Sequence, residues 1–300
     1  MTQPRQFETL ESGLLVRAPA KLNLSLLIAG KRPDGFHELE TVMAKIDWFD
    51  EIRIEPRVEE GIELVCDGPH WAPAGPENLV YQAAQAVSRA AGHTLNVRLT
   101  LTKNIPAGSG LGGASSDAAA TLMGLNRQFE MGLSTEQLAE LAAQLGSDIA
   151  FFLYGPLAFC TGRGEKIAKL PDTFSLTALL ITPDISCSTP KVYANYRHNP
   201  DQYRQLSEQA NEYLRKNRID LVLGMCANML QASCYHTFAE LAELKSAVES
   251  MGIGPVRLSG SGSTLFVVVD DVEPEDLGCL QDRIASKTGC RSTVVRNTRW

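Results

Sequence analysis

Two spacings of apolar residues run along the chain, and each marks a different element. Strand-like stretches, alternating or short and apolar, lie at 62–66, 95–102, 176–181, 256–259, 265–269 and 293–296. Residues 14–27 are Leu-rich and partly alternating, which predicts strands broken at Pro19. Residues 43–55, with Ile46, Trp48, Ile52 and Ile54, predict strand, turn, strand. Helical spacing covers 78–91, where Leu79, Ala83, Ala86, Val87 and Ala90 share a face, and 135–145, where Leu138, Leu141, Ala142 and Leu145 do. Ser134 is the expected N-cap of the latter, with Gln137 completing a capping box. Further helices are predicted at 117–129, 201–216, 221–232, 238–250 and 274–288, and a Pro-rich loop at 69–77.

Strands and helices mix without strict alternation, which predicts an α+β fold rather than a doubly wound sheet. The pattern restarts after Pro171. A two-domain division into 1–172 and 173–300 is the expectation.

The 300 residues are 44% hydrophobic and 21% charged, values of a globular chain with a sizeable core. A net charge of −7 and the absence of a basic stripe argue against a nucleic-acid partner. An anionic ligand must therefore be met by local donors. Seven cysteines and five histidines are scattered, with no Cys-x-x-Cys pair, which argues against a zinc site or a disulfide framework. Residues 1–6 hold no apolar leader segment, and no run of 18 apolar residues occurs. The expectation is a cytoplasmic protein without a membrane partner; no pattern bears on its oligomeric state.

The most informative stretch is 104–119. Gly108, Gly110, Gly112 and Gly113 fill four of six positions, and Ser115, Ser116 and Asp117 lead into an Ala- and Leu-rich run. Strand, glycine loop and helix follow in order. Free N–H groups and the positive end of a helix dipole make such a unit an anion site. No Lys-Ser or Lys-Thr follows the glycines, so this is not a Walker loop. Gly108, Gly110 and Gly113 match Gly-x-Gly-x-x-Gly, but Glu130, the next candidate acid, sits in a polar turn rather than at a strand end, so the dinucleotide fingerprint fits poorly. A tight loop with a capped helix and no ligand is the bland alternative.

Pro106 to Ser116, as Pro-x-x-x-Gly-Leu-Gly-Gly-x-Ser-Ser, resembles the phosphate loop of the GHMP kinases, which include galactokinase, homoserine kinase and mevalonate kinase. Other segments match in order: Ala18-Pro-Ala-Lys-Leu-Asn-Leu, Arg32-Pro-Asp-Gly-Phe-His-Glu-Leu, Leu145-Gly-Ser-Asp-Ile-Ala-Phe-Phe-Leu, Gly162-Arg-Gly-Glu and Leu258-Ser-Gly-Ser-Gly-Ser-Thr-Leu-Phe. The resemblance spans roughly residues 15–270. It implies an N-terminal domain bearing the phosphate loop, a ferredoxin-like C-terminal domain and an active site in the cleft between them. It implies ATP and Mg²⁺, with Pro106, Gly108, Gly110, Leu111, Gly112, Gly113, Ser115 and Ser116 at the nucleotide. The matching branch of the family phosphorylates the 2-hydroxyl of a cytidine diphosphate-linked methylerythritol, a step of isoprenoid precursor synthesis.

Five groups of residues have both a chemical and a structural reading. Asp148 borders an apolar, aromatic run, and partial desolvation suits a carboxylate that takes a proton from an alcohol; the alternative is an N-cap for a short helix over 149–153. In the family, the aspartate it matches is the proposed general base. Lys21 and Asn23 share one face of a strand. A lysine there can simply face solvent, whereas the resemblance sets the pair beside the reacting hydroxyl, where an ammonium would steady negative charge as phosphate transfers. Phe36 and His37 follow the turn Pro33-Asp34-Gly35; they are either a surface pair or, by resemblance, the stacking ring and hydrogen-bonding edge for cytosine. Phe36 stands where the family usually has tyrosine, and stacking needs only the ring face. By the same resemblance Tyr193 would be a second aromatic against the base, with Thr189 lining that pocket. Asn78 reads as an N-cap or an adenine contact, and Gly260, in the turn 259–263, as part of a hairpin or a contact to substrate phosphates. Ala114 replaces a common glycine, and Met229 and Gln231 replace acids often found after Asn228.

Two rivals remain at the level of sequence: a homoserine- or mevalonate-type kinase, and a catalytically silent regulator on the same fold. Gly35-Phe36-His37 argues against the first, because those substrates carry no base. The joint presence of Lys21 and Asp148 argues against the second.

Overall fold

A computed structural model describes residues 4–92, 94–171, 173–270 and 272–300. The N-terminal half is built on a seven-stranded sheet. After β1 (Phe7–Leu10) come two unusually long strands, β2 (Gly13–Lys31) and β3 (His37–Pro56), forming an antiparallel hairpin. Neither breaks where the pattern predicts. Pro19 lies between Arg17 and Lys21, whose N–H groups point away from β3 to the Gln6 and Leu111 carbonyls, so its missing N–H costs no bond of the β2–β3 ladder. The turn expected within 43–55 is a bulge at the same place: Pro19 pairs with Phe49 and Ala20 with Ile46.

The second half of β3 pairs with β5 (Val97–Thr102), which lies parallel to β4 (Ile62–Asp67). Between those two strands in sequence runs α1 (Leu79–Ala91). The first half of β3 pairs with β6 (Leu157–Gly162), which continues to β7 (Lys166–Lys169). β1, β6 and β7 escape the sequence reading. α2 (Gly113–Gln128), α3 (Thr135–Leu145) and α4 (Ile149–Phe152) complete this half. Helix and sheet share a core that includes Val16, Ile52, Ile54, Val87, Leu99, Leu122, Phe151 and Phe152. Burying each such side chain contributes about 1.5–3 kcal/mol.

The second sheet is four-stranded and antiparallel. β8 (Thr177–Thr182) is followed by α5 (Thr189–Asn195), α6 (Pro200–Arg215), α7 (Ile219–Gly224), α8 (Gln231–Thr237) and α9 (Ala239–Glu249). Then come β9 (Arg257–Leu258), β10 (Leu265–Val268), α10 (Pro274–Thr288) and β11 (Arg291–Arg296). The strand order β11-β8-β10-β9, all antiparallel, is the ferredoxin-like split βαβ arrangement. α+β is therefore the fold class. Residue 172, where the sequence places the division, lies outside the described residues. The hairpin of β2 and β3 reaches into the second half, since Leu26, Leu27 and Ile28 pack with Leu179, Ile181 and Leu230.

Two helices differ from their sequence reading, and α5 has no counterpart in it. α2 begins at Gly113, four residues early. Gly112, at φ +71°, turns the chain straight into the helix, and Ser116 N–H closes the first turn on the Gly112 carbonyl at 2.9 Å. Ser115, Ser116 and Asp117 thus lie inside the helix rather than capping it. The helix expected over 221–232 is split into α7 and α8. Leu26 on β2 donates its N–H to the Ala227 carbonyl (2.8 Å) and accepts from Met229 N–H (2.9 Å), drawing that backbone out of any helical ladder. Among the described residues no helix is long and apolar enough to cross a membrane.

Candidate active site

The glycine loop joins β5 to α2 and faces a cleft of about 720 Å³ between the two sheets. Gly108, Gly110 and Gly112 have φ between +68° and +77°, a region side chains disfavour. Space is also closed to a Cβ: at Gly110 it would lie 2.3 Å from the Ser259 carbonyl oxygen, and at Gly112 3.0 Å from both Lys21 Cγ and Phe152 Cζ. α2 points its N-terminus into the cleft, with Gly113, Ala114 and Ser115 lining it. Pro106, Gly108, Gly110 and Gly112 line it as well, and Leu111 lies beneath, fully buried, its carbonyl accepting the Lys21 N–H at 2.9 Å. Ser116 does not reach the cleft. It is fully buried, and its N–H is spent on Gly112.

Below the loop is a charge cluster that the sequence pattern does not reveal. Lys103 bonds Asp117 at 2.7 Å and also Asp50, which accepts the backbone N–H groups of Asn104 (2.5 Å) and Ile105 (2.8 Å). All three side chains are buried. Burial alone would lower the Lys103 pKa, but Asp117 and Asp50 outweigh it and hold the ammonium above the ordinary lysine value. Asp117 is pushed well up by burial, against the pull of Lys103. The cluster pins both ends of the glycine loop.

Lys21 and Asn23 share the cleft face of β2. The Lys21 ammonium donates to the Gly110 carbonyl at 2.7 Å and to Asn23 Oδ1, and Asn23 Nδ2 donates to Thr41 Oγ1 at 2.9 Å. Burial lowers the Lys21 pKa, partly offset by the charge of Asp148 and by Cys160. Asp148 precedes α4, but its side chain makes no capping hydrogen bond. It is half-buried and faces the cleft beside Gly164. The capping alternative thus has no bond to stand on.

The second sheet supplies the opposite wall. The turn 259–263 is clipped to the glycine loop by Ser259 Oγ–H to the Gly110 carbonyl (3.0 Å) and Thr264 N–H to the Ser109 carbonyl (2.9 Å). A Cβ on Gly260 would lie 3.1 Å from Asn23 Oδ1 and 3.3 Å from Lys21 Nζ. Asn228, between α7 and α8, holds this turn through the carbonyls of Leu258 (2.9 Å) and Gly260 (2.8 Å). Thr189 and Ser261 bond at 2.8 Å at the rim.

At the other end of the cleft, Phe36 is 52% exposed and carries the Arg163 guanidinium 5.0 Å above its ring. The His37 ring packs at 4.9 Å on Tyr193 and edge-on at 5.8 Å against Tyr196. Burial, Lys31 and His198 each lower the His37 pKa, favouring the neutral imidazole. Asn78 lies away from the cleft lining. Its Oδ1 accepts from Val80 N–H at 2.9 Å, and its Nδ2 donates to the Pro73 carbonyl at 2.6 Å. The sequence reading missed Arg163, Thr41, Ser259 and the positioning Asn228; only Arg163 and Ser259 lay within motifs that could have flagged them.

The GHMP kinases N terminal domain matches residues 78–156, and the GHMP kinases C terminal domain matches 210–278. A curated relative in Geobacillus sp. (strain WCH70), a 4-diphosphocytidyl-2-C-methyl-D-erythritol kinase, is 38% identical over 256 residues, 85% of this chain and 88% of that one. The chain is a GHMP kinase. This makes it an ATP-dependent small-molecule kinase. A GHMP kinase of Listeria monocytogenes serotype 4b (strain CLIP80459), with the same name as the Geobacillus protein, is also 38% identical, over 258 residues, 85% of this chain and 86% of that one. A solved structure of 4-(cytidine 5'-diphospho)-2C-methyl-D-erythritol kinase superposes with a TM-score of 0.73 at 30% identity, covering 95% of this chain and 99% of that one. Homoserine kinase from Cytophaga hutchinsonii has the same TM-score at 17% identity, over 99% and 98%, and shares the fold.

Proposed function

We propose that this kinase transfers the γ-phosphoryl group of ATP to the 2-hydroxyl of 4-diphosphocytidyl-2-C-methyl-D-erythritol, a step of isoprenoid precursor synthesis. The observation that carries the reading is the joint placement of two features in one cleft: Lys21 and Asp148 beside the glycine loop, and Phe36 and His37 at the far end. A homoserine or mevalonate substrate would leave the second group without a task.

Phosphoryl transfer depends on positioning and charge neutralisation more than on covalent help. The N–H groups of Gly113, Ala114 and Ser115, open at the start of α2, suit the nucleotide's phosphates. Asp148 takes the proton of the 2-hydroxyl, since its carboxylate is not spent on a cap. Lys21, fixed by Gly110 and Asn23, sets its charge beside the same oxygen. Thr189 and Gly260 line the wall for the substrate's diphosphate, and Phe36, His37 and Tyr193 take the cytosine.

Mg²⁺ fits this arrangement without a protein cage. Among the described residues no three His, Cys, Asp or Glu side chains cluster as ligands, and Mg²⁺ typically binds through one or two carboxylates plus phosphate oxygens and water. The Ser115 hydroxyl lines the cleft at the start of α2 and is the protein group that would hold it, together with phosphate oxygens and water. When bound, it would neutralise phosphate charge.

The test is a turnover assay with ATP and a panel of alcohols: the cytidine diphosphate-linked methylerythritol, homoserine and mevalonate. Turnover confined to the first supports the reading. Comparable turnover of either of the others contradicts it.

A further inference from the structure

Lys45 is among the most deeply buried side chains of the molecule, at 1% exposure, and the chemistry described above does not use it. It lies on β3 directly opposite Lys21 on β2. Among the described residues it has no acidic partner. Its ammonium instead donates to two backbone carbonyls, Phe152 at 3.0 Å and Tyr154 at 2.7 Å. These carbonyls close the C-terminal end of α4, the one-turn helix that Asp148 precedes. The Lys45 backbone N–H holds the next stretch too, through the Pro156 carbonyl at 2.8 Å.

Burying an ammonium is costly unless it is fully hydrogen-bonded. Burial lowers the Lys45 pKa to about 7. An apolar side chain of similar length would avoid that cost, so packing alone does not account for a lysine here. What the lysine does is tether. A four-residue helix has too few internal hydrogen bonds to fix its own direction, and the carbonyls at its end need donors. Lys45 supplies them from the strand pair that also carries Lys21. The tethered Phe152 then reaches the loop: its Cζ and Lys21 Cγ both lie 3.0 Å from where a Gly112 Cβ would be.

We infer that Lys45 is a positioning residue, which by gripping the end of α4 fixes Asp148 relative to Lys21 and the glycine loop. This rests on the assignment of Asp148 as proton acceptor. Its effect belongs on the chemical step, because Lys45 is absent from the cleft lining and binding surfaces are left intact.

The test compares Lys45→Met and Asp148→Asn with the parent enzyme at pH 7, measuring kcat, both KM values and Tm. A misplacement of about 1 Å can cost about 100-fold in rate, so Lys45→Met is expected to lower kcat by about 10- to 100-fold. Both KM values should stay within about twofold, and Tm should be equal or higher. If Lys45→Met does not fold, Lys45→Leu, which likewise carries no donor, is measured in the same way. A folded variant with parental kcat overturns the inference, as does one whose lost activity tracks a lowered Tm or raised KM values. If Asp148→Asn itself keeps parental kcat, the assignment of Asp148 has failed. If Asp148→Asn is slow while the Lys45 variant is fast, only the positioning role has failed.

Discussion

The Lys21 ammonium donates to the Gly110 carbonyl at 2.7 Å, so one side chain joins the strand hairpin to the glycine loop across 89 residues of sequence. The same carbonyl accepts Ser259 Oγ–H from the second sheet. Loop, strand and the turn of the second sheet therefore meet at a single oxygen.

Gly112→Val should abolish nucleotide binding. Its φ of +71° strains any β-branched residue, and the new side chain would press on Lys21 and Phe152. Calorimetric titration with ATP should give no measurable heat for a folded variant. Unchanged affinity would remove the loop from the nucleotide site.

Phe36→Ala should weaken the cytidine substrate by about 1–3 kcal/mol, the range for one base–aromatic stack, and leave the KM for ATP nearly untouched. Arg163 now covers one face of the ring, so the base takes the open face or displaces the guanidinium. Equal losses for both substrates would make Phe36 a packing residue.

Asn78→Ala should lower stability by about 0.5–2 kcal/mol, the usual cost of a lost N-cap, measured by urea denaturation. Its amide is committed to Val80 and Pro73, so ATP affinity should hold. A loss of ATP affinity at unchanged stability would instead put this amide on the nucleotide base.

Lys45 gives the fold a pH dependence of definite sign. The folded chain releases its proton near pH 7, while the unfolded lysine keeps it to about 10.5. Between these values the unfolded state binds more protons, so this contribution to stability rises with pH. The nearby titratable groups, Lys21, Asp148 and Cys160, interact among themselves, whereas burial alone shifts Lys45. Thermal melts at pH 6.5 and 9 should show the parent gaining on Lys45→Met by on the order of a few kcal/mol. A constant difference would mean the lysine is not desolvated.

Features whose signal is local were legible in the sequence. The Ser134–Gln137 capping box is present as read, α10 spans the predicted 274–288, and four glycines in six positions identified the loop. What sequence spacing could not give depends on distant partners. Asp117 stood only as the start of the helix predicted at 117–129, because nothing nearby in sequence says that Lys103 and Asp50 will enclose it. The helix over 221–232 looked continuous because its interruption comes from β2, some 200 residues earlier. Lys45 falls inside the predicted 43–55 stretch with nothing in the pattern to single it out, since the carbonyls it holds lie more than 100 positions away.

The central claim is that Asp148 accepts the proton of the substrate hydroxyl, and the most direct measurement is kcat of Asp148→Asn beside its melting temperature. General-base catalysis is worth about 10²–10⁴-fold. The account expects a loss of that size, with Tm and both KM values close to the parent and with Lys21→Ala adding less than its separate effect. A variant with a lowered Tm that still turns over near the parental rate would contradict it, and Asp148 would then be a structural residue.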